Sequence, residues 1–385
     1  MTNEERSQPR LLLVANVAKE HVLKFHIPTI SMLKRNGWQV DVACKMDADI
    51  PACDSAFDLP IERSPFHLKT LRAVQELRSI IRENQYDIVY CHTVTGSLVA
   101  RLAARPFRRH GLKVIYLAHG FYFYHGAPAK NWIAGYLMEK ILARMTDVLI
   151  TINAEDFQFA AKRLNIPKVY KIDGIGVDIS RFSRKLSPEE KRVCRDNLGL
   201  DATDYVGIYV AELTKLKNQT SLIQAAKVIQ KTIPNFKLLL VGPDHLAGTL
   251  DKEAQELPAG SVIFTGWRDD VGKLLCASDV ALASSRSEGL GLNIIEAMAC
   301  RIPVVAYENR GHSEIISDRV NGRLIPLNDY ESMAKAVVEL WESQEEADRL
   351  AQNAAESIQR FDRENVLQEI REILWEQLQN SGYDL

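Results

Sequence analysis

The chain has 385 residues, a length that suggests two domains rather than one. Apolar residues make up 46% and charged residues 25%, an ordinary globular balance, and no stretch approaches the eighteen or so consecutive apolar residues of a membrane span. The net charge of −2 conceals a division: residues 1–180 carry 24 Lys and Arg against 18 Asp and Glu, whereas the remainder carries 24 against 32. A basic first half suits anionic partners such as phosphates or an acidic membrane surface, with chance variation as the plain alternative. The first apolar run, Leu11 to Val14, is short and strand-like, which argues against a signal peptide. Six cysteines (Cys44, Cys53, Cys91, Cys194, Cys276, Cys300) are scattered without a C-x-x-C or a His/Cys cluster. That pattern predicts reduced thiols in a cytosolic protein and argues against a zinc site.

Taken in chain order, short β-rich runs alternate with amphipathic stretches, the signature of βαβ units and parallel sheets. In the first half, strands are predicted at 10–15, 38–43, 87–91, 113–118 and 147–152, with helices near 22–36, 68–84, 95–104, 131–145 and 154–164. Gly174-Ile175-Gly176 reads as the exit from a first domain, and a boundary is expected near 174–200. Ser187-Pro188-Glu189-Glu190 is a capping box with proline at the first helical position, opening a helix that ends at Gly199. Strands then fall near 205–211, 236–242, 261–265, 279–283 and 303–306. Their helices follow at 218–231, 250–256, 269–275, 292–299, 312–317 and 330–340, and a last helix covers 363–379. The expected organisation is an α/β chain with an N-terminal domain of residues 1–178 and a C-terminal domain of residues 179–362.

The segment from Ser285 to Cys300 is the most informative. A buried strand, Val280 to Ala283, gives way to Ser-Arg-Ser, then Glu288, then Gly289-Leu290-Gly291-Leu292 opening an apolar helix that carries Glu296. A glycine-rich helix start lets backbone N–H groups approach a diphosphate, and the helix dipole favours its charge. Glu288 and Glu296 are separated by roughly 8–10 Å along the axis at ~1.5 Å per residue, about the distance from the sugar of a nucleotide-sugar to its ribose. Each carboxylate can accept from a pair of hydroxyls. The plain alternative is an αβ connection with two solvated glutamates.

This segment resembles the E-x7-E motif of retaining GT-B glycosyltransferases of family 4 (the glycosyltransferase group 1 type). The resemblance continues through Val210-Ala211-Glu212-Leu213 with Lys217, Leu239-Leu240-Val241-Gly242, Phe264-Thr265-Gly266-Trp267, Ile302-Pro303-Val304-Val305-Ala306 and Gly311-His312-Ser313-Glu314. It is dense over 205–325 and thinner before. It implies the GT-B fold: two Rossmann-like domains facing across a cleft, the first binding the acceptor and the second the nucleotide-sugar. The C-terminal helix (363–385) is then expected to pack back on the first domain.

The same resemblance implies roles. Glu288 orients the sugar, Glu296 holds the ribose, Lys217 and the turn Gly289-Leu290-Gly291-Leu292 stabilise the diphosphate, and His119 faces the sugar. Arg268 is placed near the base and Glu314 in support. Relatives usually carry Arg where this chain has Glu212, so Lys215 is a candidate to replace the missing cation, with a contact between Glu212 and the acceptor as the alternative. His92, at an equivalent strand end, is a further candidate, whereas the strand exit Asn16-Val17-Ala18-Lys19-Glu20 lacks the glycines of many relatives, which argues against close backbone contact with the donor from this loop. No metal or other cofactor is expected, because Asp47-Ala48-Asp49 only superficially matches a metal-binding D-x-D.

Phe121-Tyr122-Phe123-Tyr124-His125 to Trp132, with Phe107-Arg108-Arg109-His110 nearby, combines aromatic and basic residues as a membrane interface does. It is similar to enzymes that build capsule, exopolysaccharide or O-antigen units. The implied activity is transfer of a hexose or N-acetylhexosamine, UDP-linked by preference, to an acceptor on undecaprenyl diphosphate. The implied location is the cytoplasm, peripheral on the inner membrane face and in contact with anionic lipid, and no nucleic acid is expected among the partners. A nucleotide-sugar 2-epimerase and a non-catalytic nucleotide-sugar-binding protein remain as alternatives.

Overall fold

The computed structural model describes residues 8–62, 64–65 and 67–379. Contacts divide the chain into two units, one running to Gly176 and resuming at Glu364, the other spanning Val177–Arg363. The chain leaves the first unit through Gly174 and Gly176, whose φ of +84° and +83° lie where an L side chain is disfavoured.

The first unit holds a seven-stranded sheet: β1 (Arg10–Val17), β2 (Gln39–Lys45), β3 (Ser55–Asp58), β4 (Ile88–His92), β5 (Lys113–Ala118), β6 (Val148–Thr151) and β7 (Lys168–Lys171). Their order is β3-β2-β1-β4-β5-β6-β7, and every pairing is parallel. The central strands read as near-continuous apolar runs because helices cover both faces, as in Leu11-Leu12-Leu13-Val14 and Val114-Ile115, all fully buried. The C-terminal helix Arg363–Glu376 sends residues into this unit: Trp375 meets Trp38 edge-on at 5.2 Å, and Glu376 bonds Lys168 (2.7 Å) and Tyr170 (2.6 Å).

The second unit has six strands, β8 (Tyr205–Val210), β9 (Phe236–Val241), β10 (Val262–Gly266), β11 (Val280–Ala283), β12 (Val304–Tyr307) and β13 (Arg323–Ile325), in the order β10-β9-β8-β11-β12-β13. Both sheets therefore reverse direction once, between β1 and β4 and between β8 and β11. In open α/β sheets such a switch point leaves a crevice at the carboxyl ends of the strands, where ligands bind.

Several elements depart from the sequence expectations. The strands β3, β7 and β13 are additional. Each is a short edge strand of three or four residues, without the apolar run by which buried strands are recognised. A helix at Gln344–Ser357 is also additional, and the helix expected at 312–317 is the single turn Arg310–Ser313. The stretch expected as one helix over 22–36 is two: Ala18–His26 is wound as a π-helix straight out of β1, and Ile27–Arg35 continues as an α-helix with Pro28 in its first turn.

The aromatic segment is corrected as well. Phe121 and Phe123 are buried and stacked at 4.9 Å, and Phe123 packs against Trp132, Tyr136 and Phe159. Burying each phenylalanine contributes about 1.5–3 kcal/mol, which holds the rings in the core and away from any surface. Arg108 is not a free surface cation either; it forms a two-pronged pair with Asp147 at 2.6 and 3.0 Å. Within residues 121–145, the large apolar side chains that do face outward are Tyr122, Ile133, Leu137 and Ile141, the last three at a spacing of four along a helical stretch. Among the described residues, no helix is long and apolar enough to cross a membrane.

Candidate active site

At the second sheet's switch point, the loop after β8 and the loop after β11 are sewn together. Arg286 N–H donates to the Leu216 carbonyl (2.9 Å), and the Ser284 hydroxyl donates to that of Lys217 (2.7 Å). The seam delivers the Lys217 ammonium to the Glu288 carboxylate, forming a half-buried ion pair. The Ser285 hydroxyl donates to the same carboxylate oxygen at 2.6 Å and lies 2.7 Å from the buried Tyr209 hydroxyl. Glu288 is thus held from two sides, with one oxygen doubly engaged.

A third element closes the arrangement. Asn309, just past β12, caps the turn Arg310–Ser313: its side-chain oxygen accepts from Gly311 N–H and His312 N–H, both at 3.0 Å, while its amide donates to the Ser285 carbonyl at 2.9 Å. A Cβ on Gly311 would stand 2.7 Å from the Glu288 Cβ, so only glycine allows this close approach. His312 is fully buried; its Nδ1 lies 2.6 Å from the Tyr307 carbonyl, which makes Nδ1 the protonated nitrogen. Its Nε2 is left buried without a protein partner and is available to accept. Burial pushes the His312 pKa down, so the ring is neutral near pH 7.

The helix Leu292–Ala299 starts at Gly291 with no side chain capping it, and Leu290 is buried beside the turn. Glu296 lies in its second turn. Burial pushes the Glu296 carboxyl up to about 7, an effect partly offset by Arg181. A carboxyl with no full solvent shell is short of hydrogen-bond donors, which the hydroxyl pair of a ribose would supply.

Not every candidate converges here. Arg268 is engaged by Asp270 at 2.7 and 2.8 Å. Lys215 is exposed, and Glu212 is an exposed residue with His245 3.9 Å away. Glu314 is half-buried and its carboxylate lies 3.8 Å from Arg360. Asp47 accepts from the Lys19 backbone N–H at 2.8 Å. The roles of Tyr209, Ser285 and Asn309, which bind or brace Glu288, escaped sequence reading because neutral residues near or just past strand ends carry no charge signal.

At the first sheet's switch point, His119 follows β5 and His92 ends β4, with His119 Nε2 3.4 Å from His92 Nδ1. His21 and His26 join them from the π-helix after β1, Nε2 to Nε2 at 3.1 Å. Neither had been singled out from the sequence. Five residues are one hydrogen-bonded step of a π-helix, so the two rings lie together, whereas an α-helix would set them about 140° apart.

Two family models cover most of the chain: glycosyl transferases group 1 over residues 190–357, and glycosyl transferase 4-like over residues 10–153. EpsD of Bacillus subtilis (strain 168) is 41% identical over 356 residues, 92% of this chain and 93% of that one. An Escherichia coli enzyme, UDP-Gal:alpha-D-GlcNAc-diphosphoundecaprenol alpha-1,3-galactosyltransferase, is 27% identical over 82% of this chain and 84% of its own. Among solved structures, Anabaena HepE in complex with UDP superposes with a TM-score of 0.77 at 24% identity, covering 96% of this chain and all of that one. The fold is GT-B, built from two Rossmann-like domains. The chain belongs to the group 1 glycosyltransferases and is a transferase of sugars.

Proposed function

We propose that the chain is a retaining glycosyltransferase that moves a hexose or N-acetylhexosamine from a UDP-linked donor to a lipid-linked saccharide, of the undecaprenyl-diphosphate class, during synthesis of a cell-surface polysaccharide. The observation that carries this reading is the Lys217–Glu288 pair at the β8/β11 switch point, with the uncapped helix start and the desolvated Glu296 beside it. The donor diphosphate draws Lys217 away from Glu288, since phosphate oxygens are strong partners for an ammonium. Glu288, still held by Ser285, then accepts from sugar hydroxyls, while Glu296 accepts from the ribose. As the bond from anomeric carbon to diphosphate breaks, the acceptor hydroxyl attacks from the same face and its proton passes to the leaving diphosphate. Lys217 and the amides at 290–292 stabilise the charge that develops there. His119 is assigned a contact with the transferred sugar. The names of the E. coli relative and of the UDP-bound HepE structure support the choice of UDP and of a lipid diphosphate acceptor.

The lipid-linked acceptor brings the enzyme to the inner membrane face. Ile133, Leu137 and Ile141 form an exposed apolar stripe, with Lys130, Lys140 and Arg144 on the same stretch. Such a face gives reversible, salt-sensitive attachment at about 1 kcal/mol per basic residue. Radiolabelled UDP-sugars offered with undecaprenyl-diphosphate saccharides should give one lipid-extractable product, α-linked from an α-linked donor by NMR. Flotation with anionic liposomes should be lost when Ile133, Leu137 and Ile141 are changed together to Ser. Efficient transfer to soluble oligosaccharides, with no flotation by the parent protein, would sink the membrane half of the proposal. An inverted product would sink the retaining assignment.

A further inference from the structure

The four histidines of the first unit make an arrangement that sugar transfer does not require. The ligand-capable nitrogens of His21, His26, His92 and His119 all lie within 4.8 Å of one another. A tetrahedral zinc ion with bonds of about 2.0–2.1 Å holds its nitrogens about 3.3–3.4 Å apart. The His21–His26 separation of 3.1 Å and the His92–His119 separation of 3.4 Å are already close to that length. Closing the widest remaining gap takes about 1.4 Å, which small rotations of the rings can supply. We propose that these four imidazoles bind a divalent first-row transition cation, zinc by preference, at the β1/β4 switch point.

Three observations support the site. His92 is fully buried, with Nδ1 the nitrogen turned towards His119 Nε2 and Nε2 left without a hydrogen-bond partner, so the protein alone does not satisfy this ring. The rings crowd together, with His26 and His92 centroids 3.8 Å apart, a spacing that two imidazolium ions would not tolerate. The backbone is set around the cluster too. Thr93, directly after His92, has φ +60° and ψ 161°, a conformation that a β-branched residue adopts only when its surroundings impose it.

The ligand set selects the ion. All-imidazole coordination suits zinc, copper, nickel or cobalt rather than magnesium or calcium, which take oxygen ligands. Four protein ligands make a closed site, so the ion pins the π-helix that follows β1 to the ends of β4 and β5. Bound through Nε2, His119 would keep its Nδ1–H as a fixed donor, the tautomer in which it can serve the sugar. The proposal departs from the expectation that the chain needs no metal. It is independent of how the nucleotide part of the donor is bound.

The test uses tag-free full-length protein, since a polyhistidine tag would bind the same ions. After dialysis against chelator, titration with Co²⁺ should give the intense visible bands of tetrahedral cobalt at one equivalent per chain. Zn²⁺ should displace the cobalt and raise the melting temperature. His21→Ala and His119→Ala change the two partly exposed rings, and each should weaken Zn²⁺ binding about 10–100-fold or more while the far-UV circular dichroism is retained. Absence of the cobalt bands in the parent protein, octahedral-type weak bands, or equal binding by both variants would overturn the proposal. UDP binding, measured in parallel on the same chelated protein, separates this outcome from a failure of the donor site.

Discussion

At the second sheet's switch point, Lys217 follows β8 and Glu288 follows β11; at the first sheet's, His21 and His26 follow β1, His92 ends β4 and His119 follows β5. The topological address is the same, and the chemistry placed there is opposite in kind. One is a half-open ion pair between a lysine and a carboxylate, the other a packed set of neutral rings. Parallel sheets with one reversal fix where side chains meet, and the residues at the strand ends decide what the meeting can bind.

A second contrast lies between ion pairs. Arg101–Glu139 in the first unit is buried at both ends, two-pronged at 2.7 and 3.0 Å, with Arg101 also stacked over Tyr116 at 4.4 Å. Lys217–Glu288 retains access to solvent. The first should therefore govern stability and the second activity. Glu139→Ala leaves an uncompensated guanidinium in the core and should cost about 3–5 kcal/mol, read from urea denaturation. Replacing Arg101 with Met as well should recover most of the loss. A cost under about 1 kcal/mol, the range of exposed pairs, would erase the distinction.

Lys217→Met makes the complementary test. Its ammonium is assigned to the leaving diphosphate, so kcat should fall about 10²–10³-fold, the usual consequence of removing one charge-stabilising donor. The melting temperature should move little. Should activity survive while stability collapses, Lys217 is a structural brace for Glu288 and the half-open pair is no different from the buried one.

The same comparison explains what could be read from sequence. Glu288, the glycine turn and Glu296 lie within nine consecutive residues, and the helix expected at 292–299 stands at Leu292–Ala299. A motif that compact carries its own geometry. The histidine cluster draws on four places spread over residues 21–119, and its assembly needs both the strand order and a π-helix. Nothing in the segment Ala18–His26 announces π-winding, so His21 and His26 read as unrelated. The buried core strands were visible for the opposite reason: Leu11-Leu12-Leu13-Val14 is apolar throughout, whereas Ser55–Asp58 and Lys168–Lys171 are edge strands with polar ends. The aromatic run misled because ring content alone does not say which way rings point. Phe121 and Phe123 face the core and Tyr122, between them, faces out.

The smallest predicted effect concerns Glu296 and separates a ribose contact from a merely buried acid. Its carboxyl is raised from an ordinary 4.5 to about 7 by burial. In that window the folded protein keeps the proton that the unfolded chain has lost, so Glu296 contributes stability that declines as pH rises towards 7. Ribose binding works in the other direction, because the ionised carboxylate accepts from both hydroxyls more strongly than the neutral acid does. UDP affinity should therefore rise between pH 6 and 8 in the parent protein. The terminal phosphate of UDP titrates in the same range, so the informative quantity is the difference from Glu296→Gln, in which that background remains and the carboxyl's contribution is gone. Glu296→Ala should weaken UDP binding by about 1.5–3 kcal/mol, one to two decades in Kd by calorimetry, with its melting temperature held or raised above pH 7. Parallel pH profiles for the parent and Glu296→Gln, together with an unchanged Kd in Glu296→Ala, would remove Glu296 from the site and leave its raised pKa as a packing effect alone.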